Sequence, residues 1–456
     1  MVRSRAAFRL RAWRAWVTAD PEIVPETSGY LARPPRPRWL TTLLFFVVVS
    51  VGAAVAHLFR ATAEILIEWY SDEPDLIAAA SSETWLLLCG SVSVSVFIAA
   101  WLGRRVEVRR PSATGIEAVA ASARGERRRI SLRASGVRAT GTWLASTGLS
   151  SIGRESAIIE IGGAFGTVVG RRSAGRGDAL ATAGIAAAFA SAYYAPVAAV
   201  LYLEEHLRVV RSRRALWFAA TGAIAGHLMS AGLMAGHAIF PTPNGSRWET
   251  LILSLAVLVP AALAARVFRV LRVRVKAGVL ADLLGVPWWF PVAGFALLAG
   301  AAVATFPFAA GNGMEAMRHA AVGPTVSIAL ALSVGKIIGT TASLGSGAPG
   351  GALTPTVSIA AGTALLALLG AELLGVDAGA GVAWGVMVTS MAVGVAVGLR
   401  SPLLAIVLIP ELVGDYTMLP VIVVVVIAAT LFDRGVDHVI SRVASPVPDV
   451  IYDEDG

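Results

Sequence analysis

The chain has 456 residues, of which 56% are apolar and only 15% charged, with a formal net charge of +8 and a mean hydropathy of +0.70. That balance excludes an ordinary soluble globular domain and places most of the chain in a bilayer. The positive charge sits in arginine clusters between apolar runs, which points to cytoplasmic loops rather than to a nucleic-acid surface.

Residues 1–36 lack the apolar core of a signal peptide and read as a basic cytosolic arm. Its stretch from Arg9 to Trp16 mixes aromatics with arginines and suits either an anionic lipid surface or a solvated tail. Apolar runs of spanning length, roughly 17–25 residues, are predicted at 38–60, 82–103, 215–240, 250–270, 287–310, 322–340 and 377–398. Stretches at 139–152, 155–171, 178–190, 195–206 and 400–433 are shorter or broken by Gly and Pro. These suit helices that end inside the bilayer, where irregular backbone is tolerated if it lines a cavity. Cys89 is the single cysteine and lies in an apolar run, so it reads as a small buried residue with no intrachain disulfide. The clusters Arg3 to Arg14, Arg104 to Arg110, Arg124 to Arg133, Arg208 to Arg214 and Arg266 to Lys276 thread onto one face, which makes that face cytoplasmic. The acidic segment at 71–75 and the turn-rich segment at 241–246 then face outward. After residue 440 a short cytosolic tail, 441–456, leaves no room for a C-terminal regulatory domain.

The chain carries an internal repeat. Pro196 opens the segment PVAAVLYLEE and Pro402 opens PLLAIVLIPE, and in each a glutamate, Glu205 or Glu411, lies nine residues after the proline. Pro suits a first helical turn because it needs no amide acceptor there. Each copy follows a Gly-rich apolar segment, GRESAIIEIGG in one half and GAPGGALTPTVSIAAG in the other. Paired broken segments in corresponding places predict two inverted repeats, 37–244 and 245–440, around a binding site at their interface. The fold expected is an all-α polytopic membrane protein.

Glu155, in Gly153-Arg154-Glu155-Ser156-Ala157, opens one of these broken segments. A carboxylate at that depth is costly and marks an ion or proton path. Glu160 lies in the same apolar stretch; a lipid-facing position would be costly, so it is expected to face the pore or a protein partner.

These blocks resemble the CLC family of chloride channels and proton-coupled chloride antiporters. GRESA is similar to that family's GREGP motif, and GSGAPGGALTP, Gly345 to Pro355, to its GxFxP region with the preceding turn. YYAPVAAVLYLEEH and RSPLLAIVLIPELVGDY resemble its two Pro-led helices, and Lys336 stands where the family usually has a basic residue. The four motifs occur in family order over roughly 37–440. The resemblance implies a homodimer with one pore per subunit, transporting chloride or another small anion, with protons as the second substrate, in the cell membrane.

The resemblance also implies site residues. Backbone amides of Ala352 and Leu353 would hold the anion at a helix N-terminus, where free N–H groups favour negative charge. A hydroxyl would come from Thr114, the nearest match to the family's GSGIP serine, with Ser112 as the fallback; the run from Thr114 to Glu117 reads equally as a helix capping box. Glu155 would gate the path when ionised and carry a proton when neutral. The family's inner acidic residue falls on His206, with Glu205 one position earlier, and either a proton relay or a capping role fits them. The family's pore tyrosine falls on Ile440 or a neighbour, so that donor is missing. Chloride/proton antiport is the leading expectation, with a passive anion channel or a fluoride-exporting variant as alternatives. No nucleophile–base pair, metal set or phosphate loop points to an enzyme, and no metal or cofactor is expected.

Overall fold

The computed structural model describes residues 38–73, 75–109, 115–126, 130–172, 177–233, 238–376 and 378–444. The basic arm and residues 445–456 lie outside them, as do Ser112 and Thr114.

In chain order the first half contains α1 (Arg38–Ser71), α2 (Leu76–Ser82), α3 (Trp85–Arg109), α4 (Ile116–Ala123), α5 (Leu132–Thr147), α6 (Glu155–Arg172), α7 (Gly177–Tyr193), α8 (Pro196–Leu201) and α9 (Arg213–Leu233). The second contains α10 (Arg247–Ala256), α11 (Leu258–Arg274), α12 (Ala277–Leu284), α13 (Trp289–Thr305), α14 (Met314–Val322), α15 (Val326–Leu330), α16 (Lys336–Gly345), α17 (Leu353–Glu372), α18 (Gly379–Val393), α19 (Pro402–Val413) and α20 (Leu419–Ala444). Six helical segments are long and apolar enough to cross a bilayer, or seven when α10 and α11, bent by 56° at their junction, count as one span. Among the described residues the extended structure is limited to two isolated bridges. The chain is an all-α polytopic membrane protein.

Small residues let the helices touch at the backbone. A Cβ on Gly162 of α6 would meet the Gly184 carbonyl of α7 at 2.6 Å, so these two helices pack with no side chain between them. Close approach of this kind replaces hydrophobic drive inside lipid, where apolar side chains gain little from meeting one another. Cys89 is buried in α3, as expected of a small apolar residue.

The two Pro-led helices are fastened to each other. Both carboxylate oxygens of Glu411 accept from the amides of Val197 and Ala198, at 3.0 and 2.8 Å, at the start of α8. Both oxygens of Glu205 accept from the amides of Leu403 and Leu404, at 3.1 and 2.8 Å, at the start of α19. Each Pro-led helix thus caps the other and supplies acceptors for amides that no helical carbonyl can reach. The backbone before each proline repeats as well. Tyr194 and Arg400 are both left-handed, at φ 56° and 55°. Ala195 and Ser401 follow at φ −119°, ψ 79° and φ −130°, ψ 73°. Two non-glycine residues held in that sparsely populated region at matching positions reflect a shared local fold and not chance similarity of apolar helices.

Several expectations change. The Gly-rich segment near 351 does not end as a turn but opens α17, a 20-residue span. Its composition, rich in Thr, Ser and Gly, hid its length. The stretch 400–433 is two helices, and α20 continues through Ala444, past the expected end of the second repeat. The capping-box reading of 114–117 rests on Thr114, outside the described residues; α4 starts at Ile116 with Gly115 as its N-cap, at φ 90°.

Candidate functional site

The site forms where broken helices of both halves meet end to end. The loop before α6 is laced to two loops of the second half. Gly153 and Gly351 exchange both backbone hydrogen bonds, at 3.2 and 2.7 Å, and Ile152 donates to the Gly311 carbonyl at 3.0 Å. A Cβ on Gly153 would meet the Gly351 carbonyl at 2.6 Å, so glycine is what permits the approach. This lacing brings the N-termini of α6 and α17 together. Glu155 lies in the first turn of α6, and Ala352 is the N-cap of α17, which has no side-chain cap. Both helix ends direct partial positive charge at the same place.

Glu155 is only 6% exposed. Its Oε1 accepts a hydrogen bond from the side chain of Asn312. Asn312 is buried in the turn Gly311-Asn312-Gly313, and its own Oδ1 accepts from the Met314 amide at 3.1 Å. Lys336 stands behind that turn, fully buried, with its ammonium donating to the carbonyls of Ala309 at 2.9 Å, Ala310 at 3.4 Å and Gly311. The lysine fixes the turn, the turn fixes Asn312, and Asn312 holds the glutamate. Arg154, beside Glu155 in sequence, pairs instead with Glu315 at 3.4 Å.

From Glu155 a cavity of about 530 Å³ extends past Ser156, the 350–353 backbone, Tyr193 and Tyr202 to His206 and Arg272. One wall is a ladder of rings. Tyr193 lies 4.7 Å from Phe189, Phe189 stacks on Tyr202 at 4.6 Å, and Tyr202 stacks on His206 at 5.2 Å. Tyr193 shares a 3.0 Å hydrogen bond with Thr354 of α17. The imidazole Nδ1 of His206 lies 3.3 Å from the Ser401 hydroxyl.

The structure therefore gathers Glu155, Ala352, Leu353 and His206 on one cavity. It does not bring Glu205 there, because both of its oxygens cap α19. It does not bring Ile440 either: that side chain is half exposed near the far end of α20. The reason is that α20 runs on as one helix, so residue 440 follows the helix axis instead of folding back to the pore. Thr114 and Ser112 lie outside the described residues. Glu160 gains an account. Its carboxylate accepts from the Gly115 amide at 2.9 Å and from Arg138 Nε at 3.2 Å, which ties the turn before α4 to the cavity-lining Arg138. Sequence reasoning missed Asn312, Tyr193, Tyr202, Arg138 and Arg272. A Gly-Asn-Gly turn between apolar helices was the signal available for Asn312. Among the described residues no cluster of three or more His, Cys, Asp or Glu is placed to hold a metal.

Broken helices aiming their N-termini at a buried carboxylate and a cavity define an integral membrane protein of the ion-transport type. Residues 94–434 match the model of the voltage gated chloride channel family, and the chain belongs to that family. It is 26% identical over 410 residues to the voltage-gated ClC-type chloride channel ClcB of Citrobacter koseri, covering 86% of this chain and 95% of that one. It is 27% identical over 409 residues to ClcB of Escherichia coli, with the same coverage of 86% and 95%. Its fold is shared with a slow cyanobacterial Cl−/H+ antiporter at a TM-score of 0.69 and 20% identity, covering 90% of this chain and 98% of that one. A CLC-type fluoride/proton antiporter matches at a TM-score of 0.68 and 20% identity, with 88% and 98% covered.

Proposed function

We propose that the protein exchanges chloride for protons across the cell membrane, with Glu155 as both gate and proton carrier. One observation carries this reading: a buried carboxylate at a helix N-terminus, held by a single side-chain donor, heads a cavity that ends at His206. When ionised, the carboxylate competes with an anion for the partial positive charge of the α6 and α17 ends. When protonated it loses that attraction and an anion takes its place. The amides of Ala352 and Leu353 are our anion-holding groups, and the Thr114 hydroxyl is a further candidate. His206 is our relay toward the side bordered by the Arg208–Arg214 loop, because it lines the cavity while Glu205 is engaged elsewhere. An imidazole can take up a proton on one ring nitrogen and release one from the other, which suits a relay. The relatives and structural neighbours, a chloride channel and antiporters for chloride or fluoride, support anion transport. We further propose a homodimer, and two repeats divided near residue 244.

Reconstitution in liposomes with simultaneous anion and proton readout tests the proposal. Under a chloride gradient, uphill proton movement is the expected result. Anion flux with no proton movement would replace it with a passive channel, and faster movement of fluoride than chloride would assign the fluoride-exporting variant.

A further inference from the structure

The turn Gly311-Asn312-Gly313 and the first residues of α14 reach two neighbours at the start of α6. Asn312 donates to Glu155. Glu315, in the first turn of α14, accepts from Arg154 Nη2 at 3.4 Å. Both side chains of that pair are largely buried, at 13% and 19% exposed. Among the described residues this long contact is the one hydrogen bond of Arg154, whose guanidinium carries a whole fork of N–H donors. Lys336 differs. Its ammonium is spent on the carbonyls of Ala309, Ala310 and Gly311. Arg154 and Glu155 both lie close enough to the Tyr193 phenol to act on it electrostatically, and Glu155 and Glu315 both act on Lys336. Two acids and two bases thus form one buried cluster, in which Arg154 has donors to spare.

A guanidinium next in sequence to a buried carboxylate is drawn to it, and more strongly where water is largely shut out. A bond of that kind would hold the Glu155 carboxylate harder than the neutral amide of Asn312 does. We infer that Glu315 is a positioning residue for the gate: it occupies Arg154 and so keeps a second, stronger donor off Glu155. The inference rests on the reading of Glu155 as the gate. Glu315 is well placed for the task. The N-terminal end of α14 favours an acid in its first turn, and Lys336 fixes the turn before it from behind. The contact is long for a charge-assisted pair, so the arginine is held aside and not locked. Asn312 and Glu315 therefore bear on gate opening in opposite senses. The amide holds the carboxylate, and the acid withholds its rival holder.

Anion flux in liposomes, read as a double-mutant cycle with Arg154, tests the assignment. Glu315→Gln releases Arg154 to grip Glu155 and should slow chloride flux about fivefold, the size of one added hydrogen bond to a charged group. In an Arg154→Gln background the same change should alter flux by less than about twofold. It should also have no effect in Glu155→Ala, where no carboxylate is left to grip. A crystal structure of Glu315→Gln should place the Arg154 guanidinium within hydrogen-bond reach of Glu155. Faster flux in Glu315→Gln would mean that the acid only repels anions, and would overturn the role. So would unchanged flux, or a slowing that persists without Arg154 or without the Glu155 carboxylate. Should Glu315→Gln alone not fold, Arg154→Gln/Glu315→Gln, which leaves neither charge unpaired, is compared with Arg154→Gln, and a difference above about twofold overturns the role. Proton coupling retained in Glu155→Gln would remove the gate itself. An unresponsive Glu315→Gln beside an uncoupled Glu155→Gln would remove this inference alone.

Discussion

Glu155, Glu205 and Glu411 each meet a helix N-terminus, and they are not held alike. Glu205 and Glu411 each give both oxygens to two backbone amides of a helix from the opposite half. Glu155 sits in the first turn of its own helix and is held by the side chain of Asn312. A carboxylate gripped by two amides of a fixed backbone has one position and one charge state that suit it. A carboxylate on one side-chain donor can be displaced by rotating a few bonds. Glu205 and Glu411 are fastenings, and Glu155 is held loosely enough to serve as the gate we propose.

Breaking the gate should have the largest effect on function and little on stability. Glu155→Gln is expected to bring proton coupling to background in liposomes while anion flux continues, with a melting temperature within about 2 °C of wild type. Coupling retained in that variant would remove Glu155 from the role given to it. Breaking a fastening should do the reverse. Glu411→Ala leaves the part-buried amide of Val197 and the buried amide of Ala198 without acceptors, at a cost of roughly 3 kcal/mol, read as a lower melting temperature of the protein in detergent. Glu205→Ala should cost less, about 1–2 kcal/mol, because the Leu403 amide it caps is exposed and water can replace the carboxylate. Equal losses at the two sites would show that burial does not set the difference. Asn312→Ala sharpens the comparison from the other side. Without its donor the Glu155 carboxylate is easier to displace, so anion flux in liposomes should rise about fivefold, the worth of one hydrogen bond to a charged group. Unchanged flux would mean that the contact only packs the turn.

Much of this was legible in the sequence, for definite reasons. The proline–glutamate spacing of the repeat reflects a backbone requirement, so it survives in both halves and can be read in either. Glu155 stood out because a carboxylate among apolar residues is rarely accidental. The Gly153 and Gly351 contact was foreshadowed by glycines in both motifs, although nothing in the chain announces which glycine meets which. What stayed hidden depends on distance in space. Glu205 reads as an acid near the end of its own helix, and only the fold shows that the amides it serves are about 200 residues away. Asn312 is an ordinary turn residue until the fold sets it against Glu155, and Tyr202 and Arg272 are ordinary residues until separate segments bring them to one cavity. Ile440 lies away from the cavity because nothing in the sequence marks where α20 stops turning. The length of α17 was missed because hydroxyls that bond back to their own helix, as Thr356 does to the Ala352 carbonyl, look polar in a sequence and are satisfied in the fold.

The reciprocal caps also bear on how this part of the molecule can move. Each Pro-led helix, taken alone, is left with a carboxylate that has no amides and amides that have no carboxylate. Each is completed by the other at both points. Parting the two helices would strip four amides and two carboxylates of their partners at once, so the pair is expected to move as one body.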